Sequence, residues 1–192
     1  MKKLILLFSV IFLSACSLKS SVTISPTPTM TSQTPITITP STKTTKNTDT
    51  VVGLKTKNGQ IVIKLYKDQA PNTVATFLKK VNSGFYNGLT FHRVIAGFMA
   101  QGGDPTGTGT GGGSQKSELN QIPFKRGSLG LARTPATKEI SNDSQFFICF
   151  TDDGCQHLTG DYVNFGEVIS GFDVLDQIQQ GDKIIEITTK TK

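Results

Sequence analysis

Phe91-His92-Arg93-Val94-Ile95-Ala96-Gly97-Phe98-Met99-Ala100-Gln101-Gly102-Gly103-Asp104 is the stretch whose reading decides the fold of this 192-residue chain. Two short β-type runs, residues 90–94 and 98–101, sit on either side of Gly97, and a glycine-rich segment, GGDPTGTGTGGG, follows as residues 102–113. One cation, Arg93, stands among Phe91, Phe98 and Met99. Singly, Arg93 reads as a surface charge and Phe98 as core. The glycine run is not a phosphate cradle, because no Lys-Ser/Thr closes it and no clear helix follows; it predicts a tight surface loop with positive φ angles.

Towards the N-terminus, residues 51–56 and 61–65 are β-rich and joined across Lys57-Asn58-Gly59, where Asn-Gly is a strong hairpin signal. Ile61, Ile63 and Leu65 alternate with Val62, Lys64 and Tyr66, as in a strand with one face in a core. Pro71-Asn72-Thr73 opens a helix whose Val74, Phe77, Leu78 and Val81 form one apolar stripe, and Asn82-Ser83-Gly84 supplies its stop. Downstream, residues 130–132, 145–150, 164–168 and 184–188 are further short β-type runs. A second helix is expected over 172–179, with Val174, Leu175 and Ile178 inward. Many short strands with two helices predict a mainly-β domain: a closed antiparallel barrel with two α-helices, which leaves no exposed edge.

Familiar catalytic constellations are missing. The two histidines, His92 and His157, have no metal-site spacing, Cys149 and Cys155 are not a C-x-x-C pair, and no G-x-S-x-G motif occurs. The opening stretch instead resembles the signature of the cyclophilins, F-H-R-x-I-x-G-F-M-x-Q-G-G-D. Ser144-Gln145-Phe146-Phe147-Ile148 and Leu158-Thr159-Gly160-Asp161-Tyr162-Val163-Asn164-Phe165-Gly166 are similar to that family's later landmarks and stand in the same order. The resemblance covers about residues 50–188. It implies an eight-stranded barrel with two helices, cis/trans isomerase activity on X-Pro bonds, and neither cofactor nor metal.

Carried over residue by residue, the resemblance makes Arg93 catalytic. Phe98, Met99, Phe147 and Leu158 would form the apolar pocket for the proline ring. Gln101 would orient Arg93, and Ala132 and Arg133 would lie along the residue before proline with Gln145 beside them. His157 and Tyr162 complete the substrate-binding set. Three positions depart from the family pattern: Ala96 stands where many members have proline, His157 where cyclosporin-sensitive members have tryptophan, and Tyr162 where a histidine is common. His157 at the tryptophan position leaves cyclosporin sensitivity open. The runner-up reading is a proline-segment binding module, a chaperone or adhesin with little turnover; intact Arg93, Phe98, Gln101 and Phe147 favour the enzyme.

The residues before the domain divide in two. Met1-Lys2-Lys3, the apolar run Leu4 to Leu13 and Ser14-Ala15 form an export signal over 1–15, too short to span a bilayer core of about 30 Å. Leu13-Ser14-Ala15-Cys16 resembles the bacterial lipoprotein box, which implies a diacylated Cys16 and stable anchoring to a bacterial cell membrane. Residues 16–50 read as a disordered linker, because 22 of the 34 positions from 17 to 50 are Thr, Ser or Pro and too little apolar surface is available to offset ordering. The isomerase domain is expected over 51–192. The formal charge of +6 falls to about +2 for that domain once signal and linker are set aside, and the domain has no basic block, so nucleic acid is excluded as a partner. The expected partners are X-Pro segments of unfolded or exported proteins, and the expected state is a monomer. Export permits a Cys149–Cys155 disulfide. The alternative is that Cys149 is a small buried hydrophobe with a free thiol.

Overall fold

The computed structural model describes residues 50–190; the signal, Cys16 and the linker up to residue 49 lie outside the described residues. Thr50, placed above at the end of the linker, is the first residue of β1 (Thr50–Thr56). The Asn58–Gly59 turn returns the chain as β2 (Gly59–Leu65), pairing Thr56 with Gly59 and Thr50 with Leu65. Ile61, Ile63 and Leu65 are buried, as their alternation requires.

Helix α1 (Pro71–Asn82) starts on Pro71, whose missing N–H would have had no helical partner. No acidic residue lies in its first turn. Glu118 reaches it from a distant loop and accepts from the N–H groups of Asn72 (3.1 Å) and Thr73 (2.7 Å). Val74, Phe77 and Val81 turn inward and Leu78 packs at the rim of the same core.

The remaining strands are β3 (Arg93–Ile95), β4 (Met99–Gly102), β5 (Ser114–Lys116), β6 (Ser128–Leu131), β7 (Ile140–Asn142), β8 (Phe146–Cys149), β9 (Asn164–Ser170) and β10 (Glu186–Lys190). Eight of them form one antiparallel sheet in the order β10-β1-β2-β9-β6-β8-β4-β3, while β5 and β7 form a separate ribbon. The ladder has two ends, so strand pairing alone makes a curled sheet and not the closed barrel expected. Irregular backbone lies across the seam between those ends. Residues 88–91 and 181–184 exchange four backbone hydrogen bonds there, between Gly88 and Ile184, Ile184 and Leu89, Phe91 and Asp182, and Gly181 and Phe91.

Two one-turn helices follow β8 and β9: α2 (Asp152–Cys155), continued by a 3-10 turn over Gln156–Leu158, and α3 (Phe172–Leu175). The second helix expected over 172–179 is thus cut to one turn. Gln177 and Ile178 donate to residues three back, Val174 and Leu175, so the chain tightens into 3-10-type turns, yet Val174, Leu175 and Ile178 stay buried.

The sheet has a core on each face. Leu129, Leu131, Phe146, Ile148 and Ala100 point to the main core beneath α1. Met99, Phe147 and Cys149, one residue out of phase, point to a smaller core with Phe124, Cys155 and Leu158. Consecutive phenylalanines therefore serve opposite faces: Phe146 fills the fold and Phe147 the second cluster.

Candidate active site

Register builds this second face. Arg93 lies opposite Gln101, Gln101 opposite Phe147, and Phe147 opposite Gly130, which sets one row of residues across β3, β4, β8 and β6. The next row along the same strands pairs Ile95 with Met99 and Met99 with Cys149. Gly130 is needed in its row because a Cβ there would run into the Phe147 ring.

A chain of amides fixes the guanidinium. Gln145 Nε2 donates to the carbonyls of Gly109 (3.1 Å) and Gly111 (2.8 Å). Its Oε1 is thereby turned towards Gln101 Nε2, from which it accepts at 2.9 Å. Gln101 Oε1 is left to accept from Arg93 Nη1 at 3.2 Å. Each amide can satisfy its neighbours in one orientation only, so the carbonyls of the glycine-rich loop dictate where Arg93 presents its remaining donors. Gln145 is itself seated by Asn142 Oδ1, which accepts from its backbone N–H (2.8 Å).

Beside this chain a cleft of about 300 Å³ is lined by Arg93, Phe98, Met99, Gln101, Ala132, Arg133, Phe147, His157, Leu158 and Tyr162. Ten of the eleven residues assigned from sequence to catalysis or substrate therefore meet around one hollow. Gln145 does not; it borders an adjoining hollow of about 150 Å³. The floor is apolar and dry: Met99 is 1% exposed, Phe147 5% and Leu158 6%. Arg93, by contrast, is exposed at the rim.

The walls come from two short segments. The 3-10 turn after α2 carries His157 and Leu158, and the His157 ring lies 5.7 Å from that of Phe98. Tyr162 meets Phe147 edge to face at 5.7 Å. The Arg133 side chain is committed to the rim: Nε donates to the Asp161 carbonyl (2.9 Å), Nη1 to those of Thr134 (3.0 Å) and Thr137 (3.3 Å), and the guanidinium covers the Tyr162 ring at 4.4 Å. Phe124, which the sequence reading did not assign, stacks on Phe147 with centroids 5.6 Å apart and is 2% exposed. It follows Pro123 in an irregular segment, where no periodicity marks it.

Behind Arg93 the loop is organised by Asp104. Burial raises this carboxyl, but bonds from the backbone and hydroxyl of Thr106 and from the N–H groups of Gly111 and Gly109 outweigh it and hold the group at about 2. Burial also holds the neighbouring His92 below the usual imidazole range, against the pull of Asp104 and with that of Arg93. Neither borders the 300 Å³ cleft, and it is Asp104 that ties the loop through its bonds.

Comparison with known proteins agrees with this geometry. A family model described as cyclophilin type peptidyl-prolyl cis-trans isomerase/CLD matches residues 51–191. A peptidyl-prolyl cis-trans isomerase of Helicobacter pylori is 47% identical over 137 residues, 68% of this chain and 81% of the relative. The crystal structure of a Cryptosporidium parvum cyclophilin type isomerase covers 75% of this chain and 99% of its own, with TM-score 0.69 and 32% identity. The same protein was solved in the presence of the dipeptide Ala-Pro; that structure has TM-score 0.67 and 31% identity and covers 74% of this chain and 99% of its own.

Proposed function

The chain belongs to the cyclophilin-type peptidyl-prolyl cis-trans isomerase family, and on that premise we propose how its cleft turns an X-Pro bond and where it does so. The proline ring enters the apolar hollow of Phe98, Met99, Phe147 and Leu158, and the carbonyl side of the bond stays free to rotate at the rim. Resonance between nitrogen and carbonyl sets a barrier of about 18–20 kcal/mol. As the bond twists, the nitrogen lone pair leaves conjugation and becomes an acceptor. Arg93 offers it a donor that the planar amide does not use, so the twisted state is bound more tightly than either ground state. No proton or nucleophile is exchanged.

The observation that carries this reading is the directed amide chain from Gly109 and Gly111 through Gln145 and Gln101 to Arg93, which holds one guanidinium at the mouth of an apolar pocket. Arg93→Ala is expected to keep its circular dichroism and to lose about 10²-fold or more in kcat/KM on an X-Pro peptide, the scale of a missing transition-state donor. Near-normal turnover in a folded R93A would reject Arg93 as the catalytic residue, whereas wild-type protein that binds an X-Pro peptide without turning it over would favour simple retention of proline segments.

The clients are proline-containing segments of exported proteins, met at a bacterial membrane to which the chain is held by lipid on Cys16. Two features support this placement. The first is the layout of residues 1–16. The second is a disulfide between Cys149 and Cys155, a bond that persists in oxidising compartments.

A further inference from the structure

We infer that the Cys149–Cys155 disulfide is a positioning cross-link for the proline pocket, so that substrate affinity depends on its oxidation; the inference rests on the isomerase reading of the cleft. Of the two alternatives left open by the sequence, the structure takes the bonded one, with Cα atoms 6.2 Å apart. Both cysteines are fully buried, so the bond is no surface staple.

Its location carries the inference. Cys149 ends β8, two residues beyond Phe147 and on the same face, and pairs across the ladder with Met99. Cys155 ends α2 and directly precedes the turn that bears His157 and Leu158. Its Sγ lies 3.4 Å from the Phe98 carbonyl oxygen. One bond thus joins the floor of the cleft, Met99 and Phe147, to the wall, His157 and Leu158, beside the residue that opens it, Phe98.

Besides the bridge, the wall is held at its start, where the Arg126 N–H donates to Asp152 Oδ1 at 2.6 Å. Four residues of helix and three of 3-10 turn are far below the length that holds a helix in water. The turn 97–98 is tied to the start of α2, through Phe150 N–H to the Phe98 carbonyl (2.8 Å) and Thr151 Oγ1 to the Gly97 carbonyl (2.6 Å). Beyond Leu158 the next tie shown is Phe124 N–H to Thr159 Oγ1 at 3.0 Å. Between these ties, the disulfide, the packing of Leu158 and the contact of the His157 ring with Phe98 set the width of the pocket. A bridge between cysteines six positions apart removes less chain entropy from the unfolded state than a long-range one would, which suits it to local placement. Opening it takes two electrons and two protons, which a dithiol supplies by closing to its own disulfide; two thiols then replace the bond and the wall is free to move from the floor. Arg93 and Gln101 belong to the neighbouring row and Gln145 to the adjoining hollow, so the amide chain does not run through the bridge.

The test is made on the full chain, comparing wild type, wild type after dithiol reduction confirmed by alkylation and mass, and the double variant C149A/C155A. Reduced protein and double variant are expected to show KM for an X-Pro peptide raised about tenfold or more, as when one side chain's packing is lost. kcat should stay within about twofold, because the loss falls on ground and transition states alike. Reoxidation should restore wild type and leave the double variant unchanged. An unchanged KM, or a fall in kcat at constant KM, would overturn the inference. Loss of circular dichroism on reduction would overturn it too, since the bond would then hold the fold and not the pocket. Titration with Ala-Pro peptide gives the same comparison without turnover: oxidised protein that binds the peptide but does not isomerise it counts against the isomerase reading alone.

Discussion

Gln145 has the most leverage of any residue that does not border the cleft. It is 2% exposed and bonds to Gln101, not to the guanidinium, yet its amide orientation determines that of Gln101 and through it the aim of Arg93. Gln145→Leu keeps the bulk and removes the relay: Gln101 loses its acceptor and can flip, and the Gly109 carbonyl loses a donor. The stability cost is about 1–3 kcal/mol, that of leaving buried groups unpaired. Activity is expected to fall about tenfold in kcat with KM little changed, as for a transition-state donor left mis-aimed. The decisive comparison is a double-mutant cycle. If Gln145 acts through Arg93, R93A/Q145L turns over no more slowly than R93A; full additivity would show that the relay does not work as described.

At the scale of elements, the cleft depends on what β6 leaves out. Gly130 lies opposite Phe147, and its bare Cα lets that ring lie flat on the strand. Gly130→Ala should push Phe147 into the cleft, with an overpacking cost of about 1–3 kcal/mol and a raised KM. Adding Phe147→Leu should recover much of the lost thermal stability because the ring is the obstacle; a G130A/F147L pair no more stable than G130A would place the strain elsewhere. The same row shows what sequence could reveal. The hairpin at Asn58–Gly59, the stripe on α1 and the positions of most strands were legible because alternation or helical spacing recurs there. The ribbon of β5 and β7 was not, since Ser114-Gln115-Lys116 and Ile140-Ser141-Asn142 carry no alternating apolar pattern. Helix α2 is one turn held by the Thr151 hydroxyl, which accepts from the Gly154 N–H at 3.1 Å, and four residues give no periodicity to read. Phe124 was missed for a similar reason: its partner Phe147 is distant in sequence, and no local rule pairs them. The residues around the cleft were named through resemblance. The arrangement of Arg93, Gln101, Phe147 and Met99 in two rows on one sheet face follows from strand register, which a single chain does not display.

The whole molecule adds the question of place. The described residues contain no helix long and apolar enough to cross a membrane. Ahead of them, the apolar run from Leu4 to Leu13 is ten residues where a spanning helix needs about 20. The proposed hold on a bilayer is lipid on Cys16, and two acyl chains are what stable anchoring requires. Wild-type protein is expected to incorporate fatty-acid label and to have a mature N-terminus at Cys16, read from intact mass. Cys16→Ser should take up no label, and any form lacking residues 1–15 should be recovered in the soluble fraction with its isomerase activity retained. A processed, unlabelled C16S protein that still sediments with membranes would overturn the lipid anchor, because its hold on the bilayer would not depend on Cys16.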